Sequence, residues 1–495
     1  MKHHLNGEAK LSKRQRPLRL AFVGTMSSVG KSLLAALACR YFANKGLRVA
    51  PFKAQNMSLN AVATEEGEMA WAQAYQALAA GRKPSVRMNP LLLKPLAERK
   101  AEIIFLGRPQ GLLPAGKFKE FRRAYRRRVF HIFEELSAEN DLVVIEGAGG
   151  LAELNLLEGD LANYELLKTY RIPYVLIGEI DRGGIFAQIW GTYELVPELK
   201  AQSLGFVVNK FRGEPSLFEE GLRILEEKTG KPALGLLPYL SAHFLEEDSA
   251  SLALSSGGFS GRGLRVAVVA YPYMANFLDL DPLRHEDGVE LLFTTEPRVL
   301  AEAHLIILPG SRNTAGSLRW LKETGLFALL REVSKEKFIL GICGGFQILG
   351  RRIRDPEGLE FSGEEEALGL LPHETVFRSP KRAGRVEDHP DFPFWNIPLS
   401  GFEIRYGRSF LHGREVLSLA RDRVLGTYLH GIFFNDRFRE AFLNYLRQAV
   451  GLPERPIRNY GKTVTANLDR ALQHPAFLRF FEYLETLLFT RAERS

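Results

Sequence analysis

The sequence of 495 residues has few cysteines and no long apolar run. Its two cysteines, Cys39 and Cys343, are too few for a disulfide framework or a cysteine-based structural zinc site, and this usage is typical of the reducing cytoplasm. No apolar stretch approaches the ~20 residues that a membrane-spanning helix needs. Residues 1–16 are basic and polar without the apolar segment of a secretory signal, so we expect a disordered leader there. We therefore expect a cytoplasmic protein without a membrane span.

Acidic residues are in the minority: 58 aspartates and glutamates face 66 lysines and arginines, and the formal net charge is +8. The densest basic cluster runs from Lys117 to Arg128, with Phe118, Phe121 and Tyr125 interleaved at helical spacing. This pattern predicts an amphipathic helix with a solvated basic face, and attraction of an anionic ligand is the alternative. A nucleic-acid binder would concentrate positive charge on one face with interleaved aromatic residues, but the helical spacing favours the solvated face, so we do not expect nucleic acid as a partner.

Short apolar strands alternate with helical stretches in two parts of the chain, which predicts an α/β protein with two doubly wound domains. The candidate strands of the first part are Leu18–Val23, Arg48–Phe52, Leu142–Ile145, Tyr174–Ile180, Gly205–Val208 and Ala233–Leu237. Those of the second part are Leu264–Ala270, Leu305–Leu308 and Phe338–Ile342. We predict domains over residues 17–248 and 264–448, a Ser- and Gly-rich linker over 249–263, and a C-terminal helical extension over 449–495. An amphipathic helix should follow Pro475 and carry Phe477, Phe480, Phe481, Leu484 and Leu488.

The segment Gly24–Ser32 follows the first candidate strand and opens a helix, where backbone N–H groups and the helix dipole can hold phosphates. The Lys31 ammonium would neutralise β- and γ-phosphate oxygens, and the Ser32 hydroxyl would ligate Mg²⁺. Five residues, not four, separate the two glycines, so the loop is one residue longer than the standard pattern. We predict a P-loop NTPase fold for the first domain, with ATP bound by Gly24, Thr25, Gly30, Lys31 and Ser32.

Two further polar residues follow strands of the same predicted sheet. Glu146 ends the strand Leu142–Ile145, and carboxylates at the ends of such strands face the ligand crevice. It is therefore a candidate Mg²⁺ ligand, with a solvated turn residue as the alternative. Asn209 follows the strand Gly205–Val208 and is a candidate contact to the adenine of ATP, while a plain helix N-cap is the competing interpretation.

In the second part, the strand Phe338–Ile342 leads into Gly341–Gly345, with Cys343 at the centre of a nucleophile elbow. Small neighbours allow the sharp turn, and the following helix N-terminus would activate the thiol and offer N–H groups to an oxyanion. His430 is the candidate partner base, because catalytic partners meet in space and not in sequence. A buried structural cysteine is the alternative for Cys343, as it is the expectation for Cys39.

The strings Gly341–Gln347 and Leu308–Ser311, together with His430, resemble class I glutamine amidotransferase domains. The resemblance implies that Cys343 attacks the glutamine side-chain amide, that His430 acts as its base, and that backbone amides around Gly344, Gly310 and Ser311 hold the oxyanion. Most members carry a glutamate two residues after the histidine, where this chain has Ile432. We therefore expect a catalytic dyad in place of a triad.

The long phosphate loop resembles that of dethiobiotin synthetase and its relatives, and several further strings resemble cobyric acid synthases. These strings are Pro51–Asn60, Met88–Pro95, Val144–Gly149, Asp181–Phe186, Leu308–Thr314 and Gly426–His430. The resemblance implies an enzyme that uses ATP, Mg²⁺ and glutamine to amidate the b, d, e and g carboxylates of adenosylcobyrinic acid a,c-diamide, a corrinoid polycarboxylate, in cobalamin biosynthesis. Arg405 stands where the family pattern leads us to expect histidine.

The polar loop after the second strand is the candidate binding site for the carboxylate-bearing substrate, with an ordinary loop as the alternative. Its residues are Lys53, Gln55, Asn56, Ser58 and Asn60. Three alternatives compete for the function of the whole chain: a cobyrinic acid a,c-diamide synthase, a nucleotide-switched scaffold ATPase, and an amidotransferase that uses free ammonia. A scaffold has no use for a cysteine elbow paired with a histidine, and retention of Cys343 and His430 disfavours an inactive glutaminase.

Overall fold

The computed structural model describes residues 17–97, 100–240, 257–261, 263–389 and 398–493. The predicted leader over residues 1–16 lies outside the described residues, as do residues 249–256 and 262 of the predicted linker.

The first part of the chain contains twelve strands and six α-helices among its described residues. Its strands are β1 (Leu18–Gly24), β2 (Val49–Phe52), β3 (Gln55–Met57), β4 (Ala61–Ala63), β5 (Glu68–Ala70), β6 (Leu91–Ala97), β7 (Lys100–Phe105), β8 (Arg108–Pro114), β9 (Leu142–Gly150), β10 (Tyr174–Glu179), β11 (Ser203–Phe211) and β12 (Ala233–Pro238). Its helices are α1 (Lys31–Asn44), α2 (Trp71–Ala79), α3 (Phe118–Ala138), α4 (Tyr164–Tyr170), α5 (Ile185–Leu195) and α6 (Glu219–Thr229).

A six-stranded parallel sheet in the order β12-β11-β10-β1-β9-β2 forms the centre of this domain. Its strands are apolar and buried on both faces, as parallel sheets between helices require. Each predicted strand of this domain is present, with ends that differ by a few residues. The carboxyl ends of β1, β9, β2 and β11 meet at one edge of the sheet. A smaller sheet, β3-β6-β7-β8, extends from this domain.

The second part of the chain contains thirteen strands and eight α-helices among its described residues. Its strands are β13 (Leu264–Val269), β14 (Met274–Ala275), β15 (Val289–Thr294), β16 (Leu305–Leu308), β17 (Gly310–Ser311), β18 (Phe338–Ile342), β19 (Arg352–Asp355), β20 (Gly363–Glu366), β21 (Glu374–Asp388), β22 (Leu399–Leu411), β23 (Arg414–Val416), β24 (Ser418–Arg421) and β25 (Val424–Thr427). Its helices are α7 (Asp281–Arg284), α8 (Pro297–Glu302), α9 (Thr314–Glu323), α10 (Leu326–Val333), α11 (Gly344–Leu349), α12 (Asp436–Ala449), α13 (Tyr460–Gln473) and α14 (Pro475–Glu493).

The main sheet of the second domain has the order β15-β13-β16-β18-β25-β24, and only the edge strand β24 pairs antiparallel. A second sheet, β20-β19-β21-β22-β23, is built around the long antiparallel pair β21 and β22. The α/β fold with two domains is thereby confirmed. No helix among the described residues is both long and apolar enough to cross a membrane.

The two C-terminal helices pack mainly against the first domain, although Tyr460 at the start of α13 also donates a 2.6 Å hydrogen bond to Asp281 of the second domain. Arg40 forms a 2.7 Å ion pair with Asp469 of α13, and the ring of Tyr41 stacks on Phe481 of α14 at a centroid distance of 5.2 Å. The apolar face predicted after Pro475 is confirmed, since its five residues are all buried. The helical extension therefore completes the core of the first domain.

Buried charged residues join the two domains. The Lys381 ammonium on β21 lies 2.8 Å from the Glu68 carboxylate and 2.6 Å from that of Glu102, and all three side chains are buried. Lys94 also pairs with Glu68, and Tyr406 donates a hydrogen bond to Glu102. Removing one partner from a buried ion pair leaves an uncompensated charge, so these contacts fix the relative position of the domains.

We predict that Phe481→Ala lowers the free energy of unfolding of the first domain by about 3–5 kcal/mol, because it leaves a cavity under α14. Denaturant unfolding, followed by the fluorescence and circular dichroism transition of that domain, measures the change. Tyr483→Ala on the exposed face of the same helix is the matched control, and it should stay within about 0.5 kcal/mol. Equal losses in both variants would contradict the packing of α14.

Candidate active sites

The phosphate loop lies between β1 and α1, as predicted. Gly30 has φ of 99° and directly precedes Lys31, the first residue of the helix. A side chain at Gly24 would place its Cβ 2.7 Å from the Met26 carbonyl oxygen, so the turn requires glycine there. Thr25 donates a hydrogen bond to Gln188 of α5 (3.1 Å), which ties the loop to the neighbouring helix.

The Lys31 side chain crosses from the phosphate loop to the glycine-rich end of β9. Its ammonium donates hydrogen bonds of 2.9 Å to the carbonyl oxygens of Met26 and Gly149. The side chain is buried, and α1 directs its N-terminus to the same place. A buried ammonium at a helix N-terminus provides the positive charge that anionic phosphates need.

Glu146 is the centre of a hydrogen-bond network at the carboxyl ends of the strands. Its Oε1 accepts from Ser32 Oγ and Lys53 Nζ, both at 2.8 Å, and its Oε2 accepts from Gln73 (2.9 Å) and Gln76. Burial alone would raise the pKa of Glu146, but the Lys53 ammonium and the hydrogen bonds hold that pKa below its ordinary value. The carboxylate is therefore ionised. A solvated turn residue, the alternative considered for this position, is wrong, because Glu146 is only 1% exposed.

A cavity of about 610 Å³ opens beside this network. Many predicted site residues line it: Gly30, Lys31, Ser32, Lys53, Gln55, Asn56, Glu146 and Asn209. Asn209 also donates a 2.8 Å hydrogen bond to the Val29 carbonyl oxygen, and this contact positions its side chain beside the phosphate loop. The structure thus brings the predicted ATP and Mg²⁺ residues together with the first half of the polar loop.

Ser58 and Asn60 are not among the residues that line this cavity. The Ser58 hydroxyl accepts a hydrogen bond from the Asn60 backbone N–H at 3.0 Å, inside the loop itself. The next backbone N–H, of Ala61, donates to Asn276 Oδ1 of the second domain at 2.9 Å. Asn276 Nδ2 in turn lies 3.5 Å from both ring nitrogens of His430. The polar loop therefore runs from the cavity to the predicted glutaminase residues.

Cys343 sits at a sharp turn between β18 and α11, with φ of 51°. Such a backbone conformation is costly for a residue with a side chain and is held by its surroundings. A Cβ on Gly345 would lie 1.8 Å from the Leu308 carbonyl oxygen, and one on Gly344 would lie 2.5 Å from the Ser311 backbone nitrogen. The flanking glycines therefore allow the elbow to pack against the predicted oxyanion residues.

The structure places a third polar residue beside the expected pair of Cys343 and His430. Asp279 accepts a hydrogen bond from His430 Nδ1 and another from the Gly431 backbone N–H at 3.0 Å. Cys343 is close enough to His430 to contribute to its electrostatics. Burial would lower the pKa of His430, but the Asp279 carboxylate and Cys343 raise it to about 10. Asp279 thus occupies the role for which a glutamate after the histidine was expected.

Sequence reasoning missed Asp279, Gln73 and Gln76. Asp279 lies 151 residues before His430 in the chain, and no local motif marks it. Gln73 and Gln76 stand three residues apart in a helix whose other residues are mostly apolar. This spacing places both amides on one face of the helix and is the signal that could have identified them.

Arg405, which departs from the expected histidine, is fully accommodated. It is buried and donates hydrogen bonds to Glu403 (2.6 Å), the Gly407 carbonyl oxygen (2.6 Å) and Glu415 (3.1 Å). Its guanidinium lies 3.9 Å from the centroid of the Tyr428 ring, which is close to the catalytic elbow. The departure is structural, since every contact is internal to the domain.

Two family descriptions match the chain, one in each domain. Residues 20–250 match the CobQ/CobB/MinD/ParA nucleotide binding domain, and residues 265–438 match the CobB/CobQ-like glutamine amidotransferase domain. The chain therefore combines a nucleotide-binding domain with a glutamine amidotransferase domain.

Similar proteins align over most of the chain. It is 43% identical to the cobyric acid synthase of Chloroflexus aggregans, over 86% of this chain and 90% of that one. It is 40% identical to that of Caldanaerobacter subterraneus subsp. tengcongensis, over 92% and 95%. It is 42% identical to that of Moorella thermoacetica, over 88% and 90%. Because these identities extend through both domains and both sites, the chain belongs to the cobyric acid synthase family.

Proposed function

We propose that this protein uses ATP and glutamine to amidate the b, d, e and g carboxylates of adenosylcobyrinic acid a,c-diamide, giving adenosylcobyric acid in cobalamin biosynthesis. The observation that carries the proposal is the joining of two complete sites by one loop: Lys53 contacts Glu146, and Ala61 contacts Asn276 beside His430. Family membership supplies the substrate. A scaffold ATPase is not favoured, because it would not need the site of Cys343 and His430.

The second domain would release ammonia from glutamine. A His430 that holds its proton at neutral pH pairs with the thiolate of Cys343, the form that attacks the side-chain amide carbon. Backbone N–H groups around Gly344, Gly310 and Ser311 would stabilise the negative charge on the amide oxygen. His430 then gives its proton to the departing nitrogen, so ammonia leaves and a thioester forms. Water hydrolyses the thioester to glutamate, and His430 takes back a proton.

The first domain would activate the acceptor with ATP, its second substrate. Lys31 and the N–H groups of the phosphate loop would hold the phosphates, and Asn209 would contact the adenine. The γ-phosphoryl group passes to an acceptor carboxylate oxygen, which leaves ADP and an acyl phosphate. Ammonia then attacks the acyl carbon, the bond to the phosphate oxygen breaks, and an amide and phosphate remain. Positioning and charge neutralisation provide most of the catalysis in such transfers.

The residues present fit a magnesium ion whose remaining ligands come from the nucleotide phosphates and water. No group of three or more His, Cys, Asp or Glu side chains suited to a metal occurs among the described residues. Ser32 and Glu146 nevertheless meet at 2.8 Å beside the cavity, and Mg²⁺ is commonly held by one or two protein oxygens, waters and substrate phosphates. When bound, Mg²⁺ would neutralise phosphate charge there. Glu146 and Ser32 would hold it, and Lys53, which contacts Glu146 at 2.8 Å, would offer a positive charge to the acceptor carboxylate beside them.

The charge and cysteine chemistry of the chain suit this substrate and compartment. The formal net charge of +8 favours a polycarboxylate acceptor. Both cysteines are free thiols, and a thiol nucleophile requires reducing conditions, so we place the reaction in the cytoplasm.

The decisive test is mass spectrometry of adenosylcobyrinic acid a,c-diamide incubated with the protein, Mg-ATP and amide-¹⁵N glutamine. We expect one labelled amide for each of the b, d, e and g carboxylates. Cys343→Ala should abolish this labelling yet retain amidation when ammonium is supplied, because only ammonia release needs the thiol. Loss of both activities in a folded variant would contradict the division into two sites.

For Glu146→Gln we expect amidation to fall by about 10²-fold or more, with glutamine or with ammonium, because a neutral amide cannot orient a metal–nucleotide complex. Steady-state ADP formation measures the loss. The glutaminase half-reaction uses residues of the other domain and should continue. An amidation rate close to that of the wild type would exclude Glu146 from the ATP site.

For Asp279→Asn we expect glutamine hydrolysis at pH 7 to fall by about 10²–10⁴-fold, by analogy with removal of the acid from other triads. The alkaline limb of the pH–rate profile should also move down from about pH 10, because His430 loses the carboxylate that raises its pKa. Asp287→Asn, an exposed carboxylate in the same segment, is the control. An unmoved alkaline limb in the Asp279 variant would refute its role.

A further inference from the structure

The basic cluster predicted from Lys117 to Arg128 lies at the start of helix α3, and three of its cations form ion pairs with nearby carboxylates. Lys119 and Arg123 pair with Glu158, and Arg126 pairs with Glu165 at 3.3 Å. These contacts agree with a solvated basic face. Arg122 differs from them, because its side chain turns into the cavity of the nucleotide domain.

The guanidinium of Arg122 is partly removed from water, and no protein atom replaces water as the hydrogen-bond acceptor of its Nε. Its Nε is buried and makes no hydrogen bond within the part of the chain that the structure describes. Its side chain packs along Gly159 and beside the ring of Phe118, whose centroid is 5.9 Å from the guanidinium carbon. Burial lowers the pKa of Arg122, and Asp160 opposes that shift. An arginine so placed gains free energy from any anion that enters the cavity.

Asp160 does not satisfy this arginine. Its Oδ1 accepts hydrogen bonds from the backbone N–H groups of Ala162 and Asn163, both at 3.1 Å. Its Oδ2 accepts from the Asn163 side chain at 2.9 Å. The carboxylate is thus directed to its own loop, where Asn163 also holds the backbone of Ala148 at the end of β9.

Arg122 lies in the half of the cavity that faces away from Asn209. The sheet order places β11 and β12 on one side of the phosphate-loop strand β1, and β9 and β2 on the other. Helix α3 leads into β9 and contacts both β9 and β8. Two large apolar side chains that line the same cavity, Met57 and Leu156, are 50% and 41% exposed. The cavity therefore offers Arg122 as a cation, polar groups and an apolar rim.

We propose that Arg122 is a specificity-determining residue that binds a second carboxylate of the acceptor while another carboxylate of the same molecule reacts beside Lys53 and Glu146. This inference rests on the proposed function. A rigid acceptor with several carboxylate arms around an apolar ring is complementary to this cavity. Its carboxylates would meet Arg122, and the edge of its ring would pack on Met57 and Leu156. The planar guanidinium can hold a carboxylate through two parallel hydrogen bonds, which a lysine cannot do.

The inference has a consequence for the order of events. While several carboxylates remain, Arg122 always finds an anionic partner as another arm reacts. After the last amidation the product keeps a single side-chain carboxylate, so it offers Arg122 fewer anionic partners than the substrate does. Arg122 thus favours binding of the substrate over the product.

The test compares Arg122→Gln, Arg122→Lys and the wild type in steady-state amidation, with Arg127→Gln on the exposed face of α3 as the matched control. We expect the KM for adenosylcobyrinic acid a,c-diamide to rise about 10–100-fold in Arg122→Gln, the range for a lost hydrogen bond to a charged group. The KM for ATP should stay within about twofold, and Arg122→Lys should recover part of the loss. Equilibrium binding should show that Arg122→Gln loses the preference for substrate over product, that Arg122→Lys keeps part of it, and that Arg127→Gln keeps it in full.

The outcomes are distinct. An unchanged KM for the acceptor, or a changed KM for ATP with normal acceptor affinity, would overturn the inference, and the second result would assign Arg122 to the nucleotide. A wild-type protein that performs no amidation would overturn the proposed function instead. If Arg122→Gln does not fold, the Arg122→Lys variant still tests the inference through equilibrium binding. A lysine variant that binds substrate and product with equal affinity would refute the role of Arg122.

Discussion

The rest of the first site depends on one buried carboxylate, that of Glu146. It joins the phosphate loop through Ser32, the polar loop through Lys53, and helix α2 through Gln73 and Gln76. A buried charge is stable only when its partners are in place. The need to satisfy Glu146 therefore brings three separate segments of the chain to one point and leaves the cavity beside them.

The same constraint extends to the second domain. The polar loop begins at Lys53, which contacts Glu146, and its end at Ala61 contacts Asn276 beside His430. The buried group of Glu68, Glu102 and Lys381 holds the domains together next to this loop. A displacement at either site would disturb buried polar groups, so the two half-reactions are physically connected in the fold.

Much of the fold could be predicted because its signals are local. Apolar runs such as Leu142–Ile145 predicted buried parallel strands, and the glycines around Lys31 and Cys343 predicted turns that open helices. The pairing of β21 with β22 was less accessible, since a mixed polar pattern does not identify its partner. The return of α13 and α14 to the first domain was not predictable either, because an amphipathic face indicates burial but not the surface that covers it.

The sequence by itself determined the two domains, the phosphate loop, the nucleophile elbow and the residues that belong to each, since these depend on short spacings along the chain. Only the tertiary structure decided which distant side chains meet. Asp279 contacts His430, which lies 151 residues later in the chain. Gln73 and Gln76 both donate to Glu146, and the Arg122 side chain lines the cavity. Hydrogen bonds and ion pairs act over a few ångströms in space, and packing alone brings such residues within that distance.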